Sequence, residues 1–162
     1  LITNNINLSS GGKITVIAAV RKIRESAQFE CLLNFGASAT NGSFALMLSN
    51  AFTRSSFENK GTLARYAVSA PYTAPKSQVL TGIGDLQENK TILRTSGAQT
   101  SVDTSLGGGS YSNSQLFIGR RDGATQPAQM QLYALLVISK VLSSDDIRLI
   151  EAEFAKYAGV TL

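Results

Sequence analysis

Leu116-Phe117-Ile118-Gly119-Arg120-Arg121-Asp122-Gly123, then Gln131-Leu132-Tyr133-Ala134-Leu135-Leu136-Val137-Ile138, then Ser143-Ser144-Asp145-Asp146 is the tract whose order decides the fold. It reads as a short strand, a polar loop, the longest apolar strand of the chain (Gln129 to Lys140), and one helix from about Ser143 to Tyr157. Ser143 is placed to cap the amide of Asp146, whose carboxylate reaches back, and the two acids suit the positive end of the helix dipole. Ile147, Ile150, Phe154 and Tyr157 recur at helical spacing and form the expected docking stripe, with Gly159 as the stop.

Upstream of this tract the chain reads as β. Ile14 to Arg21 is apolar on both faces for part of its length, which suits a central strand. Phe29 to Phe35 and Ser43 to Ser49 form an expected hairpin around Ala37-Ser38-Ala39-Thr40-Asn41-Gly42, whose Asn-Gly supplies the positive φ of a tight turn. Asn50 to Gly61, with Phe52 and Phe57 embedded, reads as a loop or a weak edge strand. Leu63 to Ser69 alternates as a half-buried strand, and Pro71 and Pro75 bracket Tyr72 in a loop outside any central ladder. Gln78 to Asp85 and Lys90 to Thr95 read as paired strands, Ala98 to Thr104 as one more, and Leu106 to Ser114 as a flexible loop. Short runs at this spacing point to a sandwich or barrel.

Composition narrows the classes. A chain of 162 residues fits one domain spanning 1–162, large enough to bury a core without a staple. The lone Cys31 has no intramolecular partner and reads as a small buried apolar residue. No run reaches the roughly 20 apolar residues of a membrane helix. The N-terminus lacks both a signal pattern and an initiator Met, so the expectation is a C-terminal portion of a longer protein. The formal charge of +4 is spread along the chain rather than clustered, so nucleic acid and membrane insertion are not expected partners.

Chemistry narrows further. With His absent, Ser-His-Asp and Cys-His nucleophiles and imidazole-rich metal sites are excluded. Glycoside hydrolysis needs two carboxylates across a cleft, and no strand carries the acidic i, i+2, i+4 pattern; Glu25, Glu30, Asp85 and Glu88 are isolated. No catalytic residue is therefore assigned. A structural calcium would draw on Asp85, Asp103, Asp122, Asn34 and Asn113, whose spacing specifies no site and fits turn residues better. No cofactor is expected.

The order "LFIGRRDG", loop, "QLYALLVISKVLSSDDIRLIEAEFAKYAGVTL" resembles the C-terminal half of laminin-G-like, concanavalin A-like jelly-roll lectin domains, particularly those at the C-termini of phage and prophage tail proteins. "ITVIAAVRK" resembles the first inner strand of that family, "APYTAPKSQVLTGIGDL" its middle tract, and "TILRTSG" the strand and turn that follow. The chain departs from it at Ala128-Gln129-Met130, where the family pattern has Phe-Asn-Gly, and the usual calcium cluster of closely spaced acids is missing. The resemblance implies an all-β, two-sheet antiparallel jelly-roll sandwich with one C-terminal α-helix. It also implies a non-catalytic module in a virion tail or extracellular setting, binding a host-surface polysaccharide or glycan, with a homotrimer formed through a parent fibre. Two alternatives stay open: a structural module that trimerises or caps a fibre, burying Phe52, Phe57 or Tyr111, and a glycan-cleaving enzyme using one of Glu25, Glu30, Asp85 or Asp122.

Glycan binding pairs an aromatic platform with planar polar side chains. The residues expected to supply it are Tyr111, displayed by a three-glycine loop, Tyr72, and Asn113, Arg120, Arg121, Asp122 and Gln126. Arg120 and Arg121 would offer bidentate donors to a carboxylated or sulfated sugar, one of the two per site if both lie in a strand.

Overall fold

The computed structural model describes every residue of the chain except Ala27, Ser38, Ala39, Ala51 and Phe52. Two residues of the expected hairpin turn and the expected loop aromatic Phe52 thus lie outside the described residues. In chain order the elements are β1 (Ile6–Asn7), β2 (Lys13–Lys22), β3 (Glu30–Phe35), β4 (Ser43–Asn50), β5 (Arg54–Lys60), β6 (Ala64–Val68), β7 (Lys76–Asp85), β8 (Lys90–Thr95), β9 (Ala98–Asp103), β10 (Asn113–Ser114), β11 (Leu116–Ile118), β12 (Met130–Ile138) and α1 (Ser144–Ala158). Two antiparallel five-stranded sheets, β11-β3-β4-β5-β6 and β12-β2-β7-β8-β9, face each other, and β1 pairs with β10 beside them. This is the jelly-roll sandwich with one C-terminal helix that the sequence predicts.

β2 is apolar on both faces because both faces are covered. Ile14, Val16, Ala18 and Val20 enter the core between the sheets, while Ile17 joins Val79, Ile83, Ile147 and Ala155 under α1. α1 begins where the capping residues place it: Ser143 Oγ accepts from the Asp146 amide at 3.1 Å and donates to the Asp146 carboxylate at 2.8 Å. It stops at Gly159, whose φ of 64° is left-handed. The docking stripe matches the expected one at Ile147, Ile150 and Phe154, which pack into this cluster, and differs at Tyr157. Ile147, Glu151, Ala155 and Ala158 are buried, whereas Tyr157 is 56% exposed. Glu151 belongs to the buried face because Arg94 donates to its carboxylate through Nε and Nη2, both at 2.8 Å, and the Thr81 hydroxyl donates at 2.7 Å. A carboxylate so surrounded is removed from water without being left unpaired.

Two further expectations are corrected. Residues 54–60 are neither a loop nor an edge: β5 lies inside its sheet between β4 and β6, with Phe57 fully buried. β12 is shorter than the expected Gln129 to Lys140, running nine residues over Met130–Ile138, and its register shifts between Leu132 and Ala134.

The core is built on rings from the first sheet, and from Tyr111 between β9 and β10, meeting bare backbone in the second sheet. Phe35 stacks on Phe44 with centroids 5.1 Å apart, and Tyr111 meets Phe44 edge-on at 5.5 Å. Gly82 and Gly84, on the inner face of β7, leave the space. A methyl on Gly82 would stand 2.3 Å from Cδ2 of Phe57, and one on Gly84 would stand 2.3 Å from the Tyr111 hydroxyl oxygen. Changing Gly82→Ala is expected to destabilise the fold by at least about 2 kcal/mol through overpacking, outweighing the usual gain of Ala over Gly. Urea denaturation checks this, and Phe57→Leu in the Gly82→Ala background should recover part of the loss.

The outer face of the first sheet holds a second small apolar group, Cys31, Ala45 and Met47, all buried. Burial pushes the Cys31 thiol up to about 12, with the Arg121 guanidinium opposing. A thiol that holds its proton more tightly when folded contributes stability that is fully present below its unfolded value and lost as pH rises toward the folded one. Urea midpoints should therefore fall between about pH 9 and about pH 11 more steeply in the parent protein than in Cys31→Ala. The native thiol should also resist a thiolate-specific disulfide reagent that labels it at once in urea.

Candidate functional site

The second sheet carries α1 on its outer face, so the first sheet alone has an outer face without a helix. Two rows of side chains cross that face, because cross-strand partners in an antiparallel sheet point the same way. One row runs Cys31, Met47, Ser56, Val68 over β3 to β6. The next runs Phe117, Asn34, Ala45, Glu58, Tyr66 from β11 to β6. Cys31, Ala45 and Ser56 are short, so the floor is shallow at the middle of the sheet, and a segment from outside can settle on it.

That segment is the turn 119–128 between β11 and β12. The Gly119 amide donates to Leu32 O at 2.7 Å, the Cys31 amide to Gln126 O at 3.0 Å, and the Ala128 amide to Gly119 O at 2.8 Å. The turn is thus pinned to β3 and closed on itself. Gln126 stands at φ 50°, a left-handed conformation that costs a non-glycine residue about 1 kcal/mol or more, held here by the bond its carbonyl accepts from Cys31. Pinned in this way, the turn extends Arg121 across the sheet to β5. Arg121 Nη2 donates to Glu58 Oε2 at 2.5 Å, Nη1 donates to Gln126 Oε1 at 3.4 Å, and Nε stands 4.0 Å from Asp122 Oδ1.

Around this bridge is a cavity of about 390 Å³, lined by Phe29, Met47, Asn50, Ser56, Glu58, Tyr66, Arg121 and Gln126. That volume suits one small sugar unit. Phe29 and Tyr66 are 46% and 47% exposed, so each offers about half of its surface to solvent. Tyr66 keeps its hydroxyl proton more firmly than a free tyrosine, through burial, then through the charge of Glu58 and a hydrogen bond to it, against the opposing charge of Arg121. Ser56 Oγ is buried and has no hydrogen-bond partner among the described residues. No group of three or more acidic or Cys side chains that would hold a metal exists among the described residues. Asp85 is instead engaged with Lys13 at 3.3 Å and with the amides of Gln87 and Glu88, both at 3.0 Å.

The structure brings together three of the residues expected from sequence, Arg121, Asp122 and Gln126, and separates the others. Tyr111 is corrected: it is 1% exposed, and its hydroxyl donates to Asn59 Oδ1 at 2.7 Å inside the core, so the glycine loop does not display it. Burial, then the Asp85 charge, holds its hydroxyl proton well above the usual range. Asn113 sits in β10, paired with Asn7 away from the cavity. Arg120 is half-buried and does not line the cavity. Tyr72 lies over Lys22 Nζ, 5.6 Å from its ring centre, and lines a separate cavity of about 230 Å³ with Lys76, Gln78 and Thr95. Lys22 is itself buried against Glu30 at 3.2 Å. Phe57 and Tyr111, both buried, present no surface through which a trimer would form.

Glu58, Tyr66, Phe29, Asn50 and Ser56 are not among the residues expected from sequence. The signal for Glu58 is weak, because Ser55 and Asn59 make both faces of Arg54–Lys60 polar and only Phe57 marks the inward one.

No protein-family model matches the sequence, and no curated protein matches it either. Solved structures match the backbone. The CBM40 of the Ruminococcus gnavus IT-sialidase, bound to α2,3 sialyllactose, is similar with a TM-score of 0.64 and 16% identity over 93% of this chain and 97% of that chain. A native heptameric SAP-like pentraxin from Limulus polyphemus is similar with a TM-score of 0.67 and 8% identity over 87% of this chain and 70% of that chain. A botulinum neurotoxin type C structure, described by its interaction with two ganglioside molecules, is similar with a TM-score of 0.65 and 11% identity over 88% of this chain and 36% of that chain. At such identities the likeness shows the fold alone, a jelly-roll sandwich consistent with the concanavalin A-like architecture.

Proposed function

We propose that this chain is a non-catalytic glycan-binding module whose binding site is the cavity on the outer face of the β11-β3-β4-β5-β6 sheet. The observation that carries the reading is the cavity's composition. Half-exposed aromatic rings at Phe29 and Tyr66 stand beside a carboxylate, a guanidinium, two amides and an unpartnered hydroxyl. A sugar ring has an apolar C–H face and a rim of hydroxyls, and this set meets both. The similar structures that hold sialyllactose or interact with gangliosides support glycan as the ligand class.

A binding role is favoured over hydrolysis because, among the described residues, the cavity lining holds one carboxylate, Glu58, which accepts from Arg121 Nη2, whereas hydrolysis needs two across a cleft. Glu25 and Glu30 stand beside Lys22 at 3.9 and 3.2 Å, and Asp85 is paired with Lys13, all outside the cavity lining.

The parent setting rests on the resemblance carried by "LFIGRRDG" and the strand and helix after it. On that resemblance the module belongs to a phage or prophage tail protein, and its partner is a polysaccharide on the host surface. Calorimetric titration with host polysaccharide tests the reading. Tyr66→Ala should weaken binding about threefold to tenfold by removing one stacking ring, while Tyr157→Ala on the far side leaves it unchanged. Absence of binding by the folded parent protein, or loss through Tyr157 rather than Tyr66, would contradict it.

A further inference from the structure

We infer that this cavity selects a neutral, hydroxyl-rich sugar and disfavours carboxylated or sulfated ones, although the similar structures include a complex with an acidic sugar. The inference rests on the glycan-binding reading and names the class of glycan.

An anion receptor needs a guanidinium whose fork is presented to the ligand. The Arg121 guanidinium is instead turned to the protein itself: Nη2 donates to Glu58 at 2.5 Å and Nη1 to Gln126 at 3.4 Å, while Nε is buried 4.0 Å from Asp122 without a hydrogen bond. Its side chain is only 16% exposed and that of Glu58 5%, so the pair is largely out of water. A ligand carboxylate would have to displace Glu58 from its short contact and leave it near a second negative group with no cation to spare. Among the described residues that line the cavity the charged ones are Arg121 and Glu58, whose charges cancel. Arg54 and Lys60 continue the outward row of β5 on either side of Ser56 and Glu58, but neither lines the cavity.

What the cavity does offer suits hydroxyls. The Glu58 carboxylate and the amide oxygens of Gln126 and Asn50 accept, Ser56 Oγ both donates and accepts, and Phe29 and Tyr66 provide rings for the C–H face. A hydroxyl donating to an ionised carboxylate makes the stronger, charge-assisted kind of hydrogen bond, so the acidic side chain attracts neutral sugars while it repels acidic ones.

The test is a glycan array in which neutral oligosaccharides ending in galactose, glucose, mannose or N-acetylglucosamine are printed beside their sialylated, sulfated and uronic acid counterparts. The folded protein should bind at least one neutral glycan about tenfold or more tighter than its acidic counterpart. Affinity for that neutral glycan should change less than about twofold between about 0.05 and about 0.5 M NaCl, since no net charge is neutralised on binding. Glu58→Gln, which retains the shape and releases Arg121, should move the ratio toward the acidic glycan. Preference of the parent protein for acidic glycans, with steep loss in salt, overturns the inference and leaves the glycan-binding reading standing. Binding to neither class overturns the reading itself and the inference with it. The salt titration needs only the parent protein, so the inference remains falsifiable if Glu58→Gln fails to fold.

Discussion

The separation of the two sheets depends on one contact: the rings of Phe57 and Tyr111 pressed against the bare backbone of Gly82 and Gly84 in β7. Any side chain at those two positions would drive the sheets apart, because packed interiors have no slack to absorb a methyl at 2.3 Å. That contact also settles which way β5 faces. With Phe57 inward, the period of two puts Ser56 and Glu58 outward, and a slip of one residue would bury Glu58 in the core and expose the ring. The chemistry of the outer face is therefore a consequence of the packing of the inner one.

The same division of labour explains why one outer face is open and the other is covered. The β12-β2-β7-β8-β9 sheet is covered by α1 over β12, β2 and β7, with Glu151 anchored by Arg94 and Thr81. The opposite sheet keeps short side chains at Cys31, Ala45 and Ser56, and the turn 119–128 lies upon it. Arg121 then joins that turn to β5 through Glu58, and a floor, two aromatic walls and a rim of acceptors are fixed before any ligand arrives. Such preorganisation reduces the ordering that binding would otherwise require.

The legible parts of the fold were those set by local chemistry. The helix cap at Ser143, its stop at Gly159 and the two-sided apolar run of β2 are written in neighbouring residues, and they appear where the sequence puts them. What was not legible depends on partners far along the chain. Residues 54–60 look polar enough for a loop because Ser55 and Asn59 face inward, and their burial makes sense only beside Gln78 and Tyr111, which bond them from other segments. Tyr111 follows three glycines, the usual mark of a displayed residue, yet the space left by Gly84 draws its ring into the core. In the helix, Glu151 outranks Tyr157 as a docking residue because Arg94 in β8 satisfies its charge. Of the site, Arg121, Asp122 and Gln126 were readable as a polar turn left over after packing was assigned. Glu58 and Tyr66 were not, since only the register of β4, β5 and β6 sets them beside that turn.

The central claim is that ligand is held on the outer face of the β11-β3-β4-β5-β6 sheet, between the turn 119–128 and β6. Amide chemical shifts of the isotope-labelled protein, followed while an oligosaccharide that it binds is titrated in, test it most directly. The account requires the perturbed amides to cluster on Ser56, Glu58, Tyr66 and residues 121–126. Perturbations centred instead on α1, or on the Tyr72 cavity with the outer face of this sheet silent, would contradict it.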